Sequence, residues 1–127
     1  MSIKFKPIAR KNLKAPNDPP KFYAIAESKG KTDIDALSKL VARESTVSRT
    51  DVYAVIMSLL DAVAYELNEG RSVMLGKLGS LSVSISSEGA VTAEELSSSA
   101  IRKARIVYRP GKELKKMLTT LDFEKKA

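Results

Sequence analysis

The apolar side chains between residues 52 and 67 repeat at intervals of three and four, which is the strongest periodic pattern in the chain. The spacing predicts one long helix, which Ser48 and Asp51 would cap at its start and Gly70 would end. The apolar face consists of Val52, Val55, Ile56, Leu59, Leu60, Val63 and Leu67. A face of this length needs a covering surface, either within this chain or in a second copy of it.

A shorter helix is predicted ahead of this one. Thr32 and Asp35 stand in the same capping relation, and an apolar face follows them to about Glu44. That face is formed by Ile34, Leu37, Leu40 and Val41. The core of the protein is therefore expected to begin near Thr32 with two helices.

Beyond Gly70 the apolar period changes to two. The alternation is seen over residues 71–75 and again over residues 80–85, where every second residue is a serine. It predicts two strands joined at the glycine-containing bend of residues 76–79. A return strand is predicted at residues 101–109.

The predicted return strand has two unlike faces. Ile106 and Tyr108 share one face, while Arg105, Val107 and Arg109 share the other. A Pro-Gly turn follows the strand, and a short amphipathic helix with lysines on its polar side comes next.

The remaining segments have no long apolar period. The first 21 residues combine prolines with basic residues and suit an extended arm, whereas residues 22–26 predict one short strand. Residues 86–104 are rich in serine and acidic residues at their start and are expected to project as an arm. The predicted organisation is a basic N-terminal extension, a folded domain and a C-terminal tail, at residues 1–31, 32–121 and 122–127.

The chain contains no cysteine and no histidine. Disulfides, thiolate nucleophiles, the commonest metal ligand and the usual general base near neutral pH are therefore missing. We predict no enzyme activity, no catalytic residue, no metal site and no cofactor. The N-terminus lacks the apolar stretch of a secretory signal, so we expect a soluble, cytoplasmic protein.

The net charge of +7 is unevenly distributed along the chain. Residues 1–31 carry eight basic and two acidic side chains, a net charge of +6. Residues 32–70 carry three basic and seven acidic side chains, a net charge of −4. Residues 71–127 carry eleven basic and six acidic side chains, a net charge of +5. A polyanionic partner would therefore contact the two flanks, while the acidic middle serves another purpose such as dimerisation.

Two motifs resemble the HU/integration-host-factor family of bacterial histone-like DNA-binding proteins. That family's strand with a Gly-Phe-Gly-x-Phe core is matched by residues 73–83, VMLGKLGSLSV. Its Gly-Lys-x-Leu-Lys turn into the final helix is matched by residues 108–115, YRPGKELK. The resemblance covers residues 32–121. The long N-terminal segment, residues 1–31, and the LDFEK sequence at residues 121–125 are similar to the longer HU-related variant of Bacteroidetes-type bacteria.

The resemblance implies an α+β fold of the HU type. Two N-terminal helices would form the base of an intertwined dimer, followed by a three-stranded antiparallel sheet with a protruding β-arm and a C-terminal helix. The N-terminal extension with its short strand would be added to this fold. The partner chain would be an identical copy or a related one, and it would cover the apolar face of residues 52–67.

The resemblance also implies a nucleoid-associated protein that binds double-stranded DNA largely non-specifically through phosphate contacts. Each basic side chain on such a surface neutralises a phosphate and releases counterions, which gives affinity without sequence choice. The candidate DNA-binding residues are Arg105, Arg109, Lys112, Lys115, Lys77, Arg102, Lys103 and Lys116.

The chain departs from this family in its arm. Family arms carry an Arg-Asn-Pro tip whose proline wedges between base pairs, but residues 86–104 contain no proline. We therefore expect modest bending or compaction of DNA. The basic start could compensate by adding ionic contacts along the DNA backbone or in the minor groove, or residues 1–21 could be a solvated tail beside an edge strand at residues 22–26. Leu78 and Leu81 stand where the family motif has aromatic residues, which keeps the core apolar but changes its packing.

Two other functions fit the same sequence. The acidic, serine-rich arm could dock another protein, with the basic residues serving solubility. RNA could replace DNA, because phosphate contacts do not distinguish the two sugars.

Overall fold

The computed structural model describes residues 2–126, which form two compact units. One unit runs from Ile34 to Lys116, and the other combines the residues up to Asp33 with those from Met117 onward. Each unit contains one three-stranded sheet. The described part of the chain is thus α+β, with three α-helices and six strands.

Two helices open the Ile34–Lys116 unit, α1 (Ile34–Arg43) and α2 (Arg49–Asn68). Ser48 caps α2, since its side chain accepts a hydrogen bond of 3.3 Å from the backbone N–H of Asp51. The predicted start of the long helix is therefore confirmed. Helix α1 begins two residues after Thr32, so that Asp33 directly precedes its first turn.

Gly70 ends α2 in the left-handed conformation, with a φ of +85°. Its N–H bonds to the carbonyl of Leu67 at 3.0 Å, and the N–H of Arg71 bonds to the carbonyl of Glu66 at 3.0 Å. These are the two hydrogen bonds of a Schellman motif, which a glycine closes at the least conformational cost. The predicted end of the helix is confirmed.

An ion pair joins the beginnings of the two helices. The Asp35 carboxylate accepts a hydrogen bond from the Arg49 guanidinium and lies 3.8 Å from the ammonium of Lys39. The hydrogen bond from Arg49, aided by both positive charges, lowers the pKa of Asp35. On the same helix Ser38 is fully buried, and its hydroxyl donates to the carbonyl of Ile34 at 2.7 Å.

The strands of this unit are β3 (Val73–Met74), β4 (Gly79–Ser87) and β5 (Ile101–Pro110). They form an antiparallel sheet in the order β3-β4-β5, as predicted. Helix α3 (Lys112–Leu118) follows directly after the Pro-Gly turn. The order of elements agrees with the sequence prediction for this part of the chain.

No strand is formed between β4 and β5 over residues 88–97, where the chain is irregular apart from a bend at residues 91–92 and a turn at residues 93–95. Their two ends are held together where the N–H of Glu88 bonds to the carbonyl of Ala100 at 2.8 Å. Leu96 lines a hollow of about 300 Å³ together with Ile85 and Ile101, so this segment lies against the ends of its two strands.

The second sheet corrects the prediction for both chain ends. It consists of β1 (Ile3–Arg10), β2 (Lys21–Ala26) and β6 (Phe123–Lys125), in the order β2-β1-β6. The short strand at residues 22–26 was predicted and is confirmed. The extended arm expected over residues 1–21 contains the central strand of this sheet, and the expected tail contains a strand parallel to it.

Pro7 lies in the central strand, and the shortness of β6 explains why it is tolerated. The N–H of Glu27 bonds to the carbonyl of Lys4 on the β2 side, whereas Ile3 and Phe5 bond to the β6 side. By alternation, the missing N–H of Pro7 belongs to the β6 side. Since β6 pairs only as far as Phe5, no ladder hydrogen bond is lost.

Little of the chain is buried within one copy. Among the described residues only Ser38, Val52 and Gly79 are buried, and Val52 is the one large apolar side chain of the three. On α2, Val55 is 66% exposed and Leu59 is 50% exposed, although both belong to its apolar face. The covering surface that the periodicity demands is therefore not supplied by the described residues.

Candidate nucleic-acid interface

The pairing of β4 with β5 sorts their side chains onto two faces. Residues directly opposite each other in an antiparallel pair project to the same side of the sheet. One face is apolar, with the opposite pairs Leu81 and Tyr108, Val83 and Ile106, and Ile85 and Ala104. The hydroxyl of Tyr108 donates to the carbonyl of Leu78 at 2.5 Å. This contact ties the end of β5 to the bend before β4.

The other face of the same strands is cationic. Lys103, Arg105 and Arg109 share it with Val107, as the strand period predicts. All three basic side chains are exposed. In the part of the chain that the structure describes, none of the three takes part in an ion pair. Their charges are therefore available to an external anion.

Serines line the β4 side of this cationic face. The pairs across the strands are Ser86 with Lys103, Ser84 with Arg105, and Ser80 with Arg109. Serine is short and carries a hydroxyl that donates hydrogen bonds, so phosphates could approach the sheet closely between the longer basic side chains. These serines were not among the predicted site residues, although their spacing of two in the sequence is the signal that places them on one face of the strand.

Two glycines bring the bend before β4 against the turn after β5. A Cβ at Gly79 would lie 2.1 Å from the carbonyl oxygen of Arg109, and one at Gly111 would lie 2.4 Å from that of Lys77. The φ of Gly79, +116°, also disfavours any side chain there. The close approach places Lys77 beside the start of α3, where its ammonium lies 3.7 Å from the Glu113 carboxylate.

Helix α3 adds a group of lysines after this turn. Lys112, Lys115 and Lys116 are spaced by three and four residues, so they share one side of the helix. The N–H of Lys115 bonds to the carbonyl of Gly111 at 3.0 Å, which fixes the first turn. The structure thus collects Lys77, Arg109 and the helix lysines at one end of the cationic face.

Arg102 is the candidate residue that the structure separates from this group. It is the extra residue of a β-bulge, since Ser86 pairs with Lys103 while Ser87 pairs with Ile101. Its guanidinium forms an ion pair with Glu88 at 3.1 Å across the base of the arm. Arg102 therefore neutralises an acidic residue of the arm itself.

The fold and this face define a class of protein. The chain has two helices, an antiparallel sheet with one apolar and one cationic face, a long connection between the last two strands of that sheet, and a lysine-bearing final helix, and this α+β organisation is HU-like. The chain belongs to the HU-HIG family, whose description is an HU domain fused to wHTH, Ig, or glycine-rich motif, over residues 1–125. The resemblance to HU-related proteins of the longer, Bacteroidetes type is confirmed.

One solved structure extends this assignment to the fold. A protein from Bacteroides vulgatus ATCC 8482, described as a "putative bacterial DNA binding protein", aligns with a TM-score of 0.63 at 16% sequence identity. The alignment covers 98% of this chain and 49% of the Bacteroides chain. This chain therefore spans about half the length of that protein and shares its fold over nearly all of its own.

No curated protein is significantly similar to the chain in sequence. Among the described residues, no helix is both long and apolar enough to cross a membrane. The same residues contain no cluster of three or more acidic side chains placed to hold a metal ion.

Proposed function

We propose that this chain is a histone-like, nucleoid-associated protein that binds double-stranded DNA through its phosphates with little sequence preference. The observation that carries the proposal is the strand register, which aligns Lys103, Arg105 and Arg109 on one exposed face. Lys112 and Lys115 extend this charge from α3. Membership of an HU family and the description of the Bacteroides protein support DNA as the partner.

The proposal includes a homodimer, or a heterodimer with a closely related chain. Two apolar surfaces of the Ile34–Lys116 unit support it, one on α2 and one on the sheet, where Ile106 is 58% exposed. Exposed apolar surface of this extent on a small domain marks an interface with another chain. A second copy offers the matching surface, as a two-fold symmetric contact does by construction.

We further propose that bending of the DNA is modest. The segment between β4 and β5 contains no proline to wedge between base pairs, and Glu88 already engages Arg102 at its base. Contacts to the DNA would therefore come from the cationic face and α3, which reach phosphates without unstacking bases.

A variant of the cationic face tests the proposal. Replacing Arg105, Arg109, Lys112 and Lys115 together by alanine should weaken binding to unrelated duplexes equally. It should also reduce the slope of log affinity against log salt by about 3 to 4, because each phosphate contact contributes about 0.9. Fluorescence anisotropy across a salt series measures both quantities.

The matched control removes four charges from positions outside the face, at Lys29, Lys31, Arg43 and Lys125. It should keep most of the slope. A folded face variant that binds DNA as the unchanged protein does would refute the proposed surface. Duplex RNA that competes as well as DNA would favour RNA as the partner, and a protein partner lost on deleting residues 86–100 would favour a docking role for the arm.

A further inference from the structure

The unit that combines the two chain ends has a cavity lined by basic side chains. At the loop end of the β1–β2 hairpin, Arg10, Lys11 and Lys21 line a cavity of about 550 Å³ together with Tyr23. Asp18 is the acidic residue among those that line it. This unit shares no residue with the cationic face of β5.

The loop that closes the cavity is ordered by short-range hydrogen bonds. The side chain of Asn12 accepts the N–H of Lys14 at 3.0 Å, and its carbonyl accepts the N–H of Ala15 at 3.2 Å. A second turn follows, in which the N–H of Asp18 bonds to the carbonyl of Ala15 at 3.1 Å. Two consecutive turns thus return the chain to β2 and give the cavity a defined wall.

The basic side chains around the cavity are not neutralised within the fold. Arg10 and Lys21 are direct partners across the strands, and like charges in that position destabilise a sheet. Within the described residues, none of Arg10, Lys11 and Lys21 takes part in an ion pair. The guanidinium of Arg10 instead lies over the ring of Tyr23, 5.8 Å from the ring centre. This cation–π contact restrains the guanidinium without neutralising it.

Resting on the proposed DNA-binding function, we propose that this hairpin cavity binds phosphates of duplex DNA, as a second contact separate from the cationic face of β5. Three unneutralised basic side chains around one cavity are complementary to a polyanion. A guanidinium restrained by an aromatic ring is suited to bidentate hydrogen bonding with a phosphate. A bound phosphate would also relieve the repulsion between Arg10 and Lys21.

Lys21→Glu tests this proposal with two readouts of opposite sign. A carboxylate directly opposite Arg10 replaces a repulsion by an attraction, so the thermal midpoint of the protein should stay the same or rise. Affinity for duplex DNA should nevertheless fall roughly tenfold, because one phosphate contact is lost and an anion is added. If the Lys21→Glu protein binds DNA with unchanged affinity, the cavity is not a DNA contact.

A triple variant, with Arg10, Lys11 and Lys21 changed to glutamine, measures the number of contacts. The salt slope should become shallower by about 2 to 3. Its matched control changes Lys29, Lys31 and Lys125 to glutamine, which alters the net charge equally in the same unit. A control that loses as much slope as the triple variant would show a general charge effect and overturn the proposal.

The four-residue variant of the β5 face and α3, measured in parallel, separates this inference from the proposed function. Loss of binding in the face variant alone would overturn the cavity contact and leave the proposed function standing. Loss of DNA binding in the triple variant alone would leave the cavity as the DNA contact and refute the proposed cationic face.

Discussion

Single residues decide where the basic side chains of the candidate site meet. Gly79 and Gly111 let the bend before β4 touch the turn after β5, because a Cβ at either position would overlap a backbone carbonyl. Lys77 and Arg109 are brought together by this contact, although 31 residues of sequence separate them. The glycines therefore act on the site through backbone geometry alone.

Gly79→Ala should destabilise the protein by at least about 2 kcal/mol, because the φ of +116° and the 2.1 Å approach to the Arg109 oxygen both penalise a Cβ. Chemical denaturation with circular dichroism measures the change. Gly89→Ala is the matched control, since nothing lies within 4 Å of a Cβ there. Equal stability of the two variants would contradict the close approach.

Asp35 makes the stability of the contact between α1 and α2 depend on pH. Its pKa is lowered from 3.8, mainly by the hydrogen bond from Arg49. A carboxylate with a lowered pKa in the folded state contributes stability that is complete above its unfolded pKa and is lost as the pH falls through the folded one.

Asp35→Asn should therefore lower the thermal midpoint at pH 7, and the difference from the unchanged protein should shrink as the pH falls below about 4. The pair is solvent-exposed, so the effect should be small. Thermal melts over a pH series follow it. A difference that is constant from pH 7 to pH 3 would show that the ion pair is not its cause.

At the scale of elements, the long helix α2 is the part of the structure that most needs a partner. Leu59 belongs to its apolar face yet is half exposed in one copy. A carboxylate placed there would have to be buried in a dimer, which costs far more than leaving it in water.

Leu59→Glu should therefore convert the dimer to a monomer with reduced DNA affinity. Analytical ultracentrifugation at several concentrations measures the state of association. Ala54→Glu is the matched control, because residue 54 is exposed and lies on the opposite side of the same helix. A Leu59→Glu protein that remains dimeric would show that this helix face is not the interface.

At the scale of the whole molecule, stability and association are expected to be coupled. Only Ser38, Val52 and Gly79 are buried among the described residues of one copy, which is too small a core for an independent fold of this length. A protein whose core is completed by a second chain unfolds with a midpoint that depends on its concentration.

The thermal midpoint should accordingly rise with protein concentration over the micromolar range. Calorimetry at a series of protein concentrations measures the midpoint. Added duplex DNA should also raise the midpoint, and the increase should be larger at low salt than at high salt. A midpoint independent of concentration would mean that one chain folds by itself, and the dimer would then have to be dropped from the proposed function.

Much of the fold of residues 34–116 could be predicted because its signals are local. The period of three and four, the capping serine and the terminating glycine each act within a few residues, and all three are confirmed for α2. The two faces of β5 followed from the strand period in the same way. The strand at residues 123–125 could not be predicted, since its partner lies more than 100 residues away. The strand at residues 3–10 was missed because it contains Pro7 and lies in a segment rich in prolines and basic residues.

By itself, then, the sequence determined the helices, the strand faces, the distribution of charge and the relation to HU proteins, because these depend on neighbouring residues and on local periodicity. Tertiary structure alone decided which distant groups meet. It placed the serines of β4 beside the basic residues of β5, paired Arg102 with Glu88, and brought Arg10 opposite Lys21. Register and close approach are set by the pairing of segments far apart in the chain, and no local pattern of side chains specifies that pairing.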